Sequence, residues 1–499
     1  MKIIVICLIL FFTTHLFAQP LHTLNGNVKE MANKKIELLD FYGEKNRVIN
    51  STIADSNGFF QFPFTKESYV GMYRVRFGKG KFVDMIYNQE DIEFTLNQPD
   101  SQAAGYYSVT DNIIISVSKE NKLYYDFLQV IEYNQRRLTL LNQLKPLYQP
   151  EEKAVTHNGQ INDSIKSRNN AKVAENVNTF NDQIDNELIN LKKRQKGYIK
   201  KLTNNNSDAY VAKIVKTMQN PQPNIELSKD EEGKFVKDHF FDSVDFDDIT
   251  LLNSNVIPSK IWTYFGFYRD KELSKELQEE AFIKALDVIM VEAEVNETVF
   301  AFVLDIITRK FEKSGYELAF TYITENYVFG DLCKNDDFGL EDSVFSDRAS
   351  ELKDKVEKIK GLAIGKIAPE IILSALTGNH QKLTDIDAEY TLILFWASWC
   401  QHCTVTMPAL KDLYDGYKDK GFEVLAISID EDRAAWMNAI TQVKYNWINY
   451  TELKGWDSKP AIDYNVWATP KMYLLNKEKR IVGKPSTIEE VEEFITPLL

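Results

Sequence analysis

The chain has 499 residues, with 59 Lys plus Arg against 73 Asp plus Glu for a formal net charge of −14, 44% hydrophobic and 12% aromatic residues, and four cysteines. At about 100–200 residues per domain this length calls for two to four domains, and 14 Pro and 21 Gly are too few for a collagen-like or low-complexity chain. The acidic balance, with no Lys/Arg-dense face, excludes a protein that embraces nucleic-acid phosphates, and four cysteines are too few to staple a disulfide scaffold of this size.

Lys2 is followed by an unbroken apolar run from Ile3 to Phe12 and then by Leu16-Phe17-Ala18-Gln19. Ten apolar residues reach only about 15 Å as a helix, half the hydrocarbon core of a bilayer. Residues 1–18 therefore read as a secretory signal peptide, cut after the small Ala18. Leu16, large for the third position before the cut, leaves an uncleaved anchor as the alternative. No later stretch is long and apolar enough to span a membrane. The expected location is the periplasm or cell envelope, with no stable transmembrane span once the signal is cleaved. Cys7 leaves with the signal, so Cys333, Cys400 and Cys403 are the cysteines of the exported chain.

From Leu24 to Leu96 apolar residues alternate, as in Phe60, Phe62, Phe64 and in Ile92, Phe94, Leu96. A period of two means strands with one buried face. Asn57-Gly58 suits a tight hairpin turn, and Gly78-Lys79-Gly80 supplies another. About seven short strands make a small β-sandwich or barrel, and an all-β sandwich is the fold expected over residues 19–100. The period then becomes helical through 101–360, an all-α region. Ser118 can cap a helix through Leu123, Phe127 and Val130, and Asn206-Ser207-Asp208 precedes another at Tyr210 to Met218. Val299, Phe302, Val303 and Ile306 form one buried stripe, continued by Phe311, Leu318 and Ile323. Gln149 to Lys201 is polar with mixed charges, as in a solvated helical hairpin or a partner-binding arm. Cys333 stands alone, where a free thiol is ordinarily a core residue.

Residues 361–499 follow an α/β order. The apolar strand Tyr390 to Trp396 runs into Ala397-Ser398-Trp399-Cys400-Gln401-His402-Cys403, and Met407, Leu410, Leu413 and Tyr414 then mark a helix. A second strand covers Phe422 to Ile429, with Asp430 expected to cap the helix after it. A Cys-x-x-Cys pair at a strand-to-helix junction is the signature of thioredoxin-like redox sites. Two intervening residues in the first helical turn bring the sulfurs within disulfide reach, and the helix N-terminus favours Cys400 as thiolate. A zinc site would need two further ligands, and covalent haem would need His where Thr404 stands. No metal and no cofactor beyond the redox-active pair is expected. Ala468-Thr469-Pro470 precedes the strand Met472 to Leu475, where a thioredoxin-like sheet places a proline in cis. Pro470 would face Cys400, leaving the Thr469 backbone to pair with an extended substrate.

These residues resemble the TlpA/ResA-like branch of thioredoxin-fold proteins, secreted thiol:disulfide oxidoreductases of bacteria. The resemblance rests on Ile364-Gly365-Lys366-Ile367-Ala368-Pro369, Leu383-Thr384-Asp385, Phe395 to Cys400, Met407-Pro408 and Ala468-Thr469-Pro470. The order of β-rich, helical and C-terminal modules, with the turn Asp55 to Phe60, is similar to envelope proteins common in Bacteroidetes-type bacteria. Two departures bear on mechanism. Thr406 stands where many reductases of this branch have Glu, and Leu394 where thioredoxin has a buried Asp. His402 sits within the pair, as in the strongly oxidising DsbA-type motif; it and its neighbours Gln401 and Trp399 are expected to tune the couple, an imidazolium favouring the thiolate and so the reduced form.

The resemblance implies exchange of disulfides with envelope proteins, with Trp396 and Trp399 framing the site and excluding water, substrate lying against Thr469, Pro470 and Trp396, and a redox partner recycling the pair. The alternative is a redox-switched binding protein whose N-terminal domains recognise the substrate. A peroxidase is disfavoured, since Ala397 occupies the position of the peroxide-activating threonine.

Overall fold

The computed structural model describes residues 21–497 apart from 79, 98–107, 148–162, 224–226, 331–347 and 375–379. The signal peptide read in 1–18 and Cys333 lie outside the described residues. The chain gathers into two compact units, Met1–Arg269 with Val288–Phe302, and Asp270–Asp287 with Val303–Leu499. The helical region read as one stretch over 101–360 is thus divided between them.

The first unit begins with strands β1 (His22–Asn27), β2 (Lys35–Tyr42), β3 (Lys45–Ile53), β4 (Phe59–Phe64), β5 (Gly71–Arg76), β6 (Phe82–Tyr87) and β7 (Ile92–Leu96), followed by helix α1 (Val109–Asn112) and β8 (Ile113–Val117). They form two four-stranded sheets, β4-β1-β7-β8 and β3-β2-β5-β6. Phe60, Phe62 and Phe64 all point inward. Phe64 stacks on Tyr87 of the other sheet with ring centroids 3.8 Å apart, and meets Tyr73 edge-on at 5.0 Å. These aromatic contacts close the sandwich.

The two glycine turns differ. Gly78 and Gly80, both at positive φ, join the paired strands β5 and β6 as a hairpin. Asn57-Gly58 does not make the hairpin expected of it: β3 pairs with β2 and β4 with β1, so this turn carries the chain from one sheet to the other. Asp55 holds it by accepting the backbone N–H groups of Asn57 and Phe59. Gly58 is required there, since a Cβ would fall 2.3 Å from the Val28 carbonyl oxygen.

Helices α2 (Lys119–Leu147), α3 (Asp163–Asn205), α4 (Tyr210–Met218), α5 (Lys229–Asp238) and α6 (Val256–Gly266) complete most of this unit. The start of α2 is anchored to the sandwich. Buried Asn121 accepts the Ile86 N–H at 2.8 Å and donates to the Ile86 carbonyl at 2.7 Å, satisfying the edge strand β6 as a further strand would. The polar segment after Gln149 contributes α3, which runs beside α2 with Ile184, Leu191 and Ile199 buried and Arg137 paired to Glu187 at 2.7 Å.

Helices α7 (Lys275–Ala293) and α8 (Glu297–Glu312) contribute residues to each unit. The second unit continues with α9 (Glu317–Ile323) and α10 (Ala349–Gly361). Leu318, expected on the buried stripe, is 47% exposed. The helix restarts at Glu317 after a turn at Gly315, so the phase of α8 does not carry over. The rest is β9 (Ile372–Ser374), β10 (His380–Lys382), β11 (Tyr390–Trp396), α11 (Gln401–Tyr417), β12 (Phe422–Ser428), α12 (Arg433–Val443), β13 (Ile448–Thr451), α13 (Lys459–Asp463), β14 (Lys471–Asn476), β15 (Ile481–Gly483) and α14 (Ile488–Ile495). Five strands form one sheet in the order β13-β12-β11-β14-β15. β11 pairs parallel with β12 and antiparallel with β14. This is the thioredoxin-like arrangement, with β11, buried along nearly its whole length, at its centre.

Candidate redox-active site

β11 is apolar because it lies in the middle of the sheet, and its C-terminal end delivers the loop Ala397–Cys400 to the start of α11. Cys400 is the N-cap of that helix, in extended backbone at φ −81° and ψ 107°. Its sulfur accepts the Cys403 backbone N–H at 3.1 Å, the bond that a Ser or Asp cap would otherwise make. Cys400 and Cys403 are joined as a disulfide. Cys400 is 6% exposed and Cys403 only 1%. In the reduced form the same N–H and the helix dipole favour negative charge on Cys400.

Thr469–Pro470 is a cis peptide bond at the head of β14, and the Thr469 carbonyl oxygen lies 3.5 Å from the Cys400 sulfur. Residues 69 apart in sequence thus meet at one point. Gln401 and His402 are exposed on the first turn of α11. Trp399 is 61% exposed and meets Trp456 edge-on with centroids 6.3 Å apart. Trp396 is not beside it on the surface. At 3% exposure it is packed edge-on against Tyr445. The cause is position in the sheet: Trp396 is still the last residue of β11, a central strand buried on both faces.

The two positions where the resemblance called for a carboxylate are filled otherwise. Leu394 is fully buried, and the Thr406 hydroxyl donates to the His402 carbonyl at 2.9 Å. A carboxylate is nonetheless present. Asp430, expected to cap a helix, is buried and accepts the Ser398 N–H at 2.9 Å, the Ser398 hydroxyl at 2.6 Å and the Ser428 hydroxyl at 2.5 Å. The cap of α12 is Asp432, which accepts the Ala434 N–H at 2.8 Å. Asp430 therefore ties the end of β12 to the loop that carries Cys400. Its only sequence signal is the Ser428-x-Asp430 spacing after an apolar strand, which is in phase with the sheet and not with a helix.

Residues 364–484 match the AhpC/TSA family. Over 167 residues the chain is 30% identical to the thiol-disulfide oxidoreductase ResA of Bacillus cereus, covering 33% of this chain and 88% of that protein. The chain belongs to the TlpA/ResA-like thiol:disulfide oxidoreductases. The ResA of Bacillus subtilis is 25% identical over 123 residues, 25% of this chain and 67% of that one. Among solved structures, a domain of a possible thiol-disulfide isomerase from Cytophaga hutchinsonii is 33% identical, covering 27% of this chain and 92% of its own, with a TM-score of 0.25. A thioredoxin-like protein from Bacteroides caccae is 22% identical and covers 56% of this chain and 98% of its own, with a TM-score of 0.40. Among the described residues of this ResA-like chain no three His, Cys, Asp or Glu side chains are grouped to hold a metal, and no helix is long and apolar enough to cross a membrane.

Proposed function

We propose that the protein exchanges disulfides with polypeptides of the cell envelope through Cys400 and Cys403, after export by the segment 1–18. The observation that carries this reading is the position of the Cys400 sulfur, held at a helix N-terminus and against the Thr469 carbonyl that precedes the cis proline. In the reducing direction the Cys400 thiolate attacks one sulfur of a substrate disulfide and displaces the other as a thiolate, which takes up a proton. Cys403 then loses its proton and attacks the Cys400 sulfur, which releases the second substrate thiol. The enzyme pair is oxidised and the substrate gains two electrons and two protons; the oxidising direction reverses each step.

The deeper burial of Cys403 supports its role as the resolving thiol, because an incoming disulfide meets Cys400 first. The Thr469 backbone would pair with the substrate as an added strand, and a separate redox partner would recycle the pair. Gln401 and His402 at the start of α11, with Trp399 beside them, would tune the couple. An imidazolium at His402 favours the thiolate and makes the disulfide the stronger oxidant.

The expected outcome of Cys403→Ser is covalent trapping of substrates through Cys400, seen as mixed disulfides in envelope extracts, whereas Cys400→Ser abolishes turnover. Absence of mixed disulfides with Cys403→Ser overturns the assignment of roles. A reduction potential near about −120 mV supports net oxidation or isomerisation, while one below about −250 mV marks a reductase and removes the part given to His402.

A further inference from the structure

The loop that carries the cis proline is held from outside the thioredoxin-like fold. Helix α9 begins at Glu317, upstream of the segment 364–484 that matches the family. The Glu317 carboxylate accepts Lys471 Nζ at 2.7 Å on one oxygen and Lys484 Nζ at 2.6 Å on the other. All three side chains are mostly buried. Lys471 immediately follows Pro470 and opens β14, where it pairs with Phe395 of β11, one residue before Trp396. On the other flank of the loop, Gly315 at φ +81° lies beside Trp467, where an added Cβ would make ordinary van der Waals contact with the indole ring at 3.4 Å. Glu317 therefore holds Lys471, the residue that follows Ala468-Thr469-Pro470.

We propose that Glu317 is a positioning residue for substrate capture, fixing the Thr469–Pro470 backbone at the height where an extended polypeptide pairs beside Cys400. This inference rests on the disulfide-exchange reading above and adds to it a task for the helical segment.

The argument is electrostatic. Lys471 and Lys484 both lie over the Tyr473 ring, 5.5 and 5.9 Å from its centroid, and Glu317 is the carboxylate placed between them. With that charge removed, two like charges share a partly buried site, and a buried ion left without its partner is strongly unfavourable. Lys471 escapes by turning toward water, which moves the residue next to Pro470. A shift of about 1 Å in a docking element is enough to cost a large factor in productive binding. The sulfurs are not involved, so the redox couple is unchanged.

The test compares Glu317→Gln with the full-length wild-type chain in three readings. Expected are a roughly tenfold rise in KM for disulfide-bonded insulin with kcat changed less than about threefold, an unchanged rate with glutathione disulfide, which needs no strand pairing, and an unchanged reduction potential. Amide hydrogen exchange should quicken across 467–472. Lys484→Met, which retains the Glu317–Lys471 pair, should keep the wild-type KM. If Glu317→Gln does not fold, Glu317→Asp, with its shorter reach, is read in the same way. An unchanged insulin KM in a folded variant overturns the proposal, as does an equal loss on insulin and glutathione disulfide. A wild-type chain that reduces neither substrate overturns the exchange reading itself, and the proposal with it.

Discussion

Asp430 and Lys260 show two outcomes of burying a charge. Asp430 meets three donors, all on Ser398 and Ser428, and charge-assisted hydrogen bonds of this kind offset the loss of water. Asp430→Ala strands those donors behind the active-site loop. The expected result is a loss of about 2 kcal/mol in stability together with slower exchange at Cys400, read by urea denaturation and by insulin turnover. Unchanged turnover would mean that the loop keeps its shape without the carboxylate.

Lys260 has less help. Its ammonium donates to the Gln219 carbonyl at 2.7 Å and lies 3.8 Å from the Phe240 ring centroid, and burial lowers its pKa to about 8. The ordinary value is 10.5. Between those two values the unfolded chain binds more protons than the folded one, so stability rises with pH across that window. The Gln219 carbonyl also accepts the Ser243 hydroxyl at 3.1 Å, so it keeps a partner if the lysine is removed. Lys260→Met should therefore raise stability at neutral pH by roughly 2 kcal/mol and flatten the rise above pH 8. A destabilised variant in urea titrations would show that the ring contact and the hydrogen bond outweigh desolvation.

At the scale of elements, the helix starts show how far local reading carries. Ser118 caps α2 as its sequence suggests, its hydroxyl oxygen accepting the Asn121 N–H at 2.9 Å. α4 spans Tyr210–Met218, matching the apolar period, yet Asn206, Ser207 and Asp208 do not cap it. Buried Glu120 does so, accepting the N–H groups of Tyr210 and Val211 at 2.9 and 2.8 Å and the Asn88 amide as well. Glu120→Ala should cost about 2 kcal/mol, measured as a lower urea midpoint. No change would show that water caps α4 equally well. The strands β8 and β13 left little periodic signal because each is only four or five residues at a sheet edge. β11 was plain for the opposite reason: a central strand is apolar on both faces.

For the molecule as a whole, the acid limb of stability has an identifiable contributor in the second unit. Burial pushes the Glu317 carboxyl up, but the Lys471 and Lys484 ammoniums outweigh it and hold the group at about 2, against an ordinary 4.5. A depressed carboxyl stabilises the fold fully above 4.5, and that contribution is lost as pH falls from 4.5 toward 2. Glu317→Gln should be less stable than wild type at neutral pH and lose less on acidification, as followed by circular dichroism. A parallel acid profile for the two proteins would show that the carboxylate is not held by the pair of lysines.

The redox pair, the α/β order around it, the β-rich and helical character of the residues before it and several helix boundaries could be read from the amino-acid order alone, because each rests on spacing within one or two turns or strands. What awaited the folded chain is which charge meets which. Asp430 finds Ser398 across 32 residues, Glu120 finds Tyr210 across 90, and Glu317 finds Lys471 across 154. No local period encodes such partners. They are chosen by packing, which alone decides that Trp396 is core, that Asp430 meets the cysteine loop, and that Glu317, upstream of the family segment, pairs with the lysine that follows the cis proline.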